Sequence, residues 1–104
     1  MLNPTPLAKQ KGRVLAISHC EGNTCWIYGY GEYVGDFIPK EAVGFMAELG
    51  REHKRPNPKI VLENGKVVYG CECWWGDAEK AEKEIIKGRK IIVVDIDEDR
   101  KANQ

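Results

Sequence analysis

The stretch "KIVLENGKVVYGCECW", residues 59–74, decides the fold. Two runs rich in β-branched residues flank Asn64 and Gly65, and this dipeptide between alternating apolar residues is the strongest short-range signal of a β-hairpin. A two-residue turn pairs Glu63 with Lys66 and requires positive φ at both central residues. The sequence therefore predicts two antiparallel strands joined at this turn.

The predicted register assigns the side chains of this hairpin to two faces, because alternate residues of a strand share a face. The apolar face then holds Ile60, Leu62, Val67, Tyr69, Cys71, Cys73 and Trp75. The opposite face holds Glu63, Lys66, Glu72 and Trp74. We therefore expect Trp75 in the core and Trp74 at the surface, where a rigid aromatic side chain is a candidate contact residue.

The chain before this hairpin predicts another hairpin and a helix. Strands over residues 13–20 and 24–34 flank a turn at Gly22 and Asn23, which places Cys20 opposite Cys25. A helix is predicted over residues 39–53, beginning at a proline. Its apolar residues recur at helical spacing and define one buried face of Ala42, Phe45, Met46 and Leu49.

The chain after the central hairpin predicts a second helix and a last strand. The helix covers residues 78–87, with Asp77 as N-cap and Gly88 at its end. Glu79 and Lys83 are spaced to form an ion pair on its exposed side. The strand over residues 89–97 is apolar on both faces for most of its length, which is typical of a strand inside a sheet.

The order ββαββαβ predicts an α+β fold, a two-layer sandwich of a mostly antiparallel sheet and two helices. Residues 1–11 carry two prolines and little apolar periodicity, which predicts a loose N-terminal arm. Residues 12–98 then form a single domain, and residues 99–104 a solvated tail.

Composition and charge narrow the class of protein. Of 104 residues, 16 are basic and 16 acidic, so no net field steers the chain toward nucleic acid or an anionic membrane. No apolar run is long enough to span a bilayer, and the first residues lack the apolar core of an export signal. We therefore expect a cytoplasmic protein with no membrane partner, in which cysteines are thiols or metal ligands.

The four cysteines allow three interpretations. Cys20 with Cys25 and Cys71 with Cys73 supply four thiols for a structural zinc site. Against zinc, residues two apart on a flat strand are roughly 6.6 Å apart, too far for neighbouring ligands unless the strand bulges. The alternatives are thiols that fill the core and, in an oxidising compartment, a disulfide between Cys20 and Cys25. We expect no cofactor, with zinc as the alternative.

A basic segment favours a different partner. Arg51, Lys54, Arg55 and Lys59 follow the first predicted helix and form a candidate phosphate or nucleic-acid contact, which strand aromatics would complement by stacking bases. Basic residues at a helix C-terminus are also explained by the helix dipole. The neutral net charge argues against a dedicated nucleic-acid binder.

No motif in the sequence predicts catalysis. A phosphate loop, a dinucleotide fingerprint and a nucleophile elbow are absent, and no base is positioned beside a cysteine. We therefore expect a small non-enzymatic binding or accessory module, with an unknown protein or a second copy of the chain as partner. Its predicted contact face comprises Trp74, Glu72, Tyr30 and Tyr33; the alternatives are a structural zinc protein and a single-stranded nucleic-acid binder.

Overall fold

The computed structural model describes residues 13–102, which form one six-stranded sheet and three α-helices. The strands are β1 (Arg13–Glu21), β2 (Thr24–Phe37), β3 (Asn57–Leu62), β4 (Val67–Tyr69), β5 (Trp74–Asp77) and β6 (Lys90–Val93). The helices are α1 (Phe45–Glu52), α2 (Ala78–Ala81) and α3 (Ile96–Ala102). A 3-10 turn (Gly70–Glu72) separates β4 from β5, and a π-helical turn (Glu82–Ile86) continues α2. The predicted arm at residues 1–11 lies outside the described residues.

The sheet is mainly antiparallel, as predicted, but its connections differ from the predicted order. Strands run β4-β3-β2-β1-β5 with antiparallel neighbours, and β6 adds to β2 in parallel. The additional elements are β5, formed after the 3-10 turn, and α3. The long strand β2 binds β6 along residues 24–27 and β3 from Gly31 onward, so both partners occupy the same side of β2.

The last strand occupies an edge of the sheet, and the prediction of an interior strand is therefore wrong. Among residues 13–102, β6 pairs with β2 alone. Its four residues are exposed, exposed, intermediate and exposed in turn. The prediction rested on apolar residues on both faces of the strand. At the edge of the sheet these side chains have no neighbouring strand to cover them.

The central hairpin has the predicted strands but a different register. The Gly65 amide donates to the Leu62 carbonyl at 2.8 Å, and the Leu62 amide donates to the Lys66 carbonyl at 2.7 Å. These bonds close a three-residue loop in which Gly65 has φ 90° and Asn64 does not have positive φ. Val67 then pairs with Val61 rather than with Leu62. A shift of one residue exchanges the two faces of a strand.

The exchanged faces correct the predicted apolar set. Ile60 and Leu62 pack in the main core with Val68, which replaces Val67 there. Tyr69 packs with Val67 and Cys71 in a separate cluster. Because the 3-10 turn ends β4 at Tyr69, the predicted alternation does not continue to the tryptophans.

The first hairpin follows its predicted turn. Gly22 and Asn23 form the turn, and Glu21 pairs with Thr24, Cys20 with Cys25 and His19 with Trp26. Two register shifts flank Ile17, which pairs with Ile27.

The first helix is shorter than predicted. Gly44 has φ 104°, a conformation that interrupts a helix, and α1 begins only at Phe45. Its buried residues are Ala47 and Gly50. The predicted apolar face is therefore wrong: Ala42 is buried before the helix, Phe45 and Met46 are exposed, and Leu49 is half-buried.

Apolar clusters cover both faces of the sheet, so the two-layer description is incomplete. On one face the core consists of Val14, Ala16, Tyr28, Ile60, Leu62, Val68 and Ile96, the last from α3. On the other face Leu15, Ile17, Cys25 and Ile27 pack against Ala81 of α2. The third cluster packs Tyr69 against Ala42 and Ala47.

The C-terminal half contains one confirmed helix start and one unpredicted helix. Asp77 accepts the Lys80 amide at 2.9 Å as N-cap of α2, and Lys83 lies 3.7 Å from Glu79, both as predicted. Residues 99–102, expected in a solvated tail, instead belong to α3. No helix within residues 13–102 is long and apolar enough to cross a membrane.

Candidate binding groove

A groove of about 340 Å³ lies between the start of α1, the 3-10 turn and α3. We call it the ion-pair groove; it is lined by Tyr28, Val43, Gly44, Phe45, Met46, Ala47, Cys71, Glu72, Ile96, Asp99 and Arg100. Apolar side chains thus form one wall, and charged side chains form the other. This volume is at the lower end of the range of ligand pockets, roughly 300–1,000 Å³.

The charged wall is held by a nearly buried ion pair. Arg100 donates to both carboxylate oxygens of Glu72, from Nε and Nη2, each at 2.8 Å. The side chains are only 12% and 8% exposed. Arg100 Nη2 also donates to the Val67 carbonyl at 2.8 Å, and Glu72 accepts the Tyr69 amide at 3.0 Å. With so many bonds, the pair has one preferred geometry and connects α3 to β4 and the 3-10 turn.

The floor of the groove combines apolar packing with a tyrosine hydroxyl. Ile96 is 2% exposed and Tyr28 5% exposed, and both belong to the main core. The Tyr28 hydroxyl donates to the Asp99 carboxylate. Burial, together with this bond to Asp99, raises the pKa of Tyr28 well above its ordinary value, so its hydroxyl stays a hydrogen-bond donor at neutral pH.

The apolar wall belongs to the first turn of α1. Phe45 is 73% exposed and Met46 60% exposed, although both are large apolar side chains. The segment before them is fixed by Arg51, whose Nη1 donates to the carbonyls of Pro39 and Ala42, each at 2.7 Å. The wall therefore presents two uncovered apolar side chains on an anchored support.

The thiol in the groove is poorly suited to nucleophilic chemistry. Burial, and then the Glu72 carboxylate, raise the pKa of Cys71. Burial raises the pKa of the neighbouring Cys73 to about 12, with Glu72 and Cys71 adding to the shift. Because the thiolate is the nucleophile, both groups are in their unreactive form at neutral pH.

The structure separates the four residues of the predicted contact face. Trp74 is 49% exposed on the edge strand β5, and its ring lies over Gly76. Glu72 lies in the ion-pair groove. Tyr30 donates to Glu82 at 2.6 Å, on the α2 side of the sheet. Tyr33 stacks on Trp75 with ring centroids 5.1 Å apart, on the opposite side.

The four cysteines are not brought together. Cys20 and Cys25 form a disulfide, the pairing predicted for an oxidising compartment, while Cys71 and Cys73 are free. Among residues 13–102 no group of three or more His, Cys, Asp or Glu side chains is arranged to hold a metal. The zinc site stays a prediction. The disulfide disagrees with the expected reducing compartment, so the cytoplasmic location stays a prediction as well.

Of the predicted nucleic-acid residues, two are engaged within the chain. Arg51 is bonded to the carbonyls before α1, and the Lys59 amine lies 4.9 Å from the centre of the Phe37 ring. Lys54 and Arg55 are exposed. The nucleic-acid contact therefore stays a prediction.

Sequence reasoning missed Arg100, Asp99 and the exposed position of Phe45 and Met46. A signal for α3 was present, because Asp95 accepts the Asp97 amide at 3.1 Å and precedes an acidic first turn and a basic last turn. Recognition of that helix would have placed Arg100 one turn after Ile96. Phe45 and Met46 are exposed because Gly44 delays the start of the helix to Phe45.

Comparison with protein-family models, curated proteins and solved structures found no match.

Proposed function

We propose that the protein is a non-catalytic binding module whose ion-pair groove receives an apolar side chain of a protein partner, next to a basic residue of that partner. The single observation that carries the proposal is the pairing of two uncovered apolar side chains with a rigid charged wall across one groove. An apolar cavity with a few fixed polar groups is the usual form of a binding site.

The carboxylates of the groove are the reason that we propose a basic residue in the partner. Two carboxylates, Glu72 and Asp99, and one guanidinium, Arg100, are among the side chains that line the groove. Asp97 is 58% exposed at the rim, 3.9 Å from Arg100, and it shares the Lys66 ammonium with Asp95, so carboxylates outnumber cations there. Complementary charge at a rim steers association and sets orientation more than it adds affinity.

The apolar wall supplies the contact area. Phe45 and Met46 are adjacent and exposed, and methionine adapts its shape to different ligands. Burial of such side chains against a partner contributes roughly 25 cal/mol per Å² of apolar surface. Affinity for one side chain is therefore modest, and a longer protein segment is needed for tight binding.

Capped dipeptides test the groove directly. Acetyl-Phe-Lys-amide and acetyl-Phe-Glu-amide present the same apolar group beside opposite charges. We expect ¹⁵N chemical shifts to move around the groove on titration with the lysine peptide, and the glutamate peptide to bind more weakly.

Matched variants identify the wall. Phe45→Ser and Met46→Ser remove exposed side chains, so they should weaken binding with little change in melting temperature. Phe37→Ser is the control, because Phe37 is 46% exposed and does not line the groove. Equal binding by both peptides, or shifts outside the groove, would contradict the proposal.

A second contact surface is centred on Trp74. Its ring is half-exposed and is braced against the backbone of Gly76, where an added Cβ would come within 2.7 Å of the ring. A large side chain that is already ordered loses little entropy on binding. Contact with a protein through Trp74 is therefore a second proposal, independent of the groove.

A further inference from the structure

We infer that β6 is a self-association edge, at which two copies of the chain pair their β6 strands antiparallel about a two-fold axis at Ile92. The first observation is the open backbone of this strand. The amides of Lys90 and Val94 donate to β2, at the carbonyls of Asn23 and Ile27. The N–H and C=O groups of successive residues point to opposite sides of a strand. Those of Ile91 and Val93 therefore point away from β2. Within the described chain, β6 has no other partner.

The side chains at this edge are apolar and uncovered. Val93 is 70% exposed and Ile91 is 38% exposed, and both share a face because they are two residues apart. Proteins usually protect an open edge with charges, prolines or a bulge. Lys90 begins the strand and is its one charged residue, and the run from Ile91 to Val94 contains no charged residue or proline. An apolar, unprotected edge of this kind is a template for another strand.

The charges around β6 select a second copy as the occupant. In an antiparallel pair centred on Ile92, Ile91 lies opposite Val93 of the second copy, and Arg89 lies opposite Asp95 of the second copy. The two-fold axis repeats both pairs. The strand is thus basic at one end and acidic at the other, and it complements itself only in the antiparallel direction.

The acidic end retains charge for this contact. Lys66 binds Asp95 at 2.7 Å and Asp97 at 3.1 Å, and Asp97 also lies 3.9 Å from Arg100, which is paired with Glu72. Two cations therefore face three carboxylates. Arg89 is exposed, and its guanidinium Nη1 lies 3.4 Å from the Cys25 sulfur. A guanidinium from the second copy therefore meets a surplus of negative charge.

A four-residue strand buries less than the roughly 1,200–2,000 Å² of a standard interface, so we expect a weak dimer. Sedimentation velocity of the full chain should show the average mass rising toward twice the monomer mass between about 10 µM and about 1 mM. Val93→Lys should abolish the rise, since Val93 contacts the second copy but is exposed in the monomer. Val34→Lys is the control, because it charges another exposed apolar position that belongs neither to the edge nor to the groove.

Cross-linking tests the register. Ile92→Cys places a thiol on the two-fold axis, where paired Cα atoms of a non-hydrogen-bonded pair are about 4.5 Å apart, within the range of a disulfide. Lys90→Cys is the matched control, since its own symmetry mate lies four residues away, roughly 13 Å. The inference predicts a covalent dimer from Ile92→Cys only. A full chain that stays monomeric throughout, or a mass increase that Val93→Lys leaves unchanged, overturns it.

Discussion

Loss of Arg100 should destabilise the protein far more than loss of an exposed cation. Arg100→Met removes two charge-assisted hydrogen bonds to Glu72 and one to the Val67 carbonyl. Glu72 is then left with its side chain 8% exposed and its charge uncompensated. Breaking a buried ion pair on one side costs about 3–5 kcal/mol. This is a large part of the roughly 5–15 kcal/mol that stabilises an ordinary domain.

The loss of stability in Arg100→Met arises mainly from the buried Glu72 carboxylate that is left without a partner. A second substitution, at Glu72, tests this explanation. Glu72→Gln removes the charge but keeps an acceptor for the Tyr69 amide. The double variant Glu72→Gln with Arg100→Met should therefore recover about 2 kcal/mol relative to Arg100→Met alone. A full cycle of single and double variants isolates the coupling between the two side chains.

Urea denaturation at neutral pH, with the disulfide intact, measures each free energy of unfolding. Lys83→Met is the control, because Lys83 is 73% exposed and its pair with Glu79 is worth about 0.5 kcal/mol or less. A stability of Arg100→Met within about 0.5 kcal/mol of the parent chain would refute the buried ion pair and, with it, the rigid wall of the groove.

Three further outcomes follow from burial and charge. Trp75→Ala should cost about 3 kcal/mol or more because Trp75 packs against the main core, whereas Trp74→Ala should leave the melting temperature nearly unchanged and weaken contact with a protein partner; the reverse order of stabilities would contradict this assignment. Cys73 should resist iodoacetamide in the folded chain and react on unfolding, since burial raises its pKa to about 12; rapid labelling of native protein would count against it. The Tyr69 hydroxyl lowers the pKa of Glu41, so this bond stabilises the fold above the ordinary carboxyl pKa and is lost as pH falls below it. Tyr69→Phe should therefore lower the melting temperature at neutral pH, with a difference that narrows below about pH 4, and a constant difference would disprove the linkage.

The sequence predicted the strands of both hairpins because β-branched runs and turn dipeptides are local signals. The first hairpin also had the predicted turn and cysteine pairing. The register of the central hairpin was not determined locally, because Val67 and Val68 are identical and either can face the core. Only the choice between a two-residue and a three-residue loop separates the two registers, and Asn64 with Gly65 is compatible with both.

The groove was the least predictable feature because its parts come from distant segments. Glu72 and Arg100 are 28 residues apart, and their pairing depends on how α3 packs against the sheet. Phe45 and Met46 have the spacing of a buried helical face, but Gly44 begins the helix too late for that face to reach the core. Periodicity identifies an apolar stripe and not the element that covers it.

The groove and the β6 edge share one short segment but are separable by experiment. Val93 in β6 is 70% exposed and does not line the groove. Ile96, at the start of α3, is 2% exposed and lines it. A substitution at Val93 removes apolar surface that the groove never contacts. Phe45 is equally remote from the edge, because it belongs to the opposite wall of the groove. Loss of peptide binding in Phe45→Ser with self-association intact, and the converse in Val93→Lys, would establish two independent surfaces; joint loss in either variant would indicate that α3 transmits strain between them.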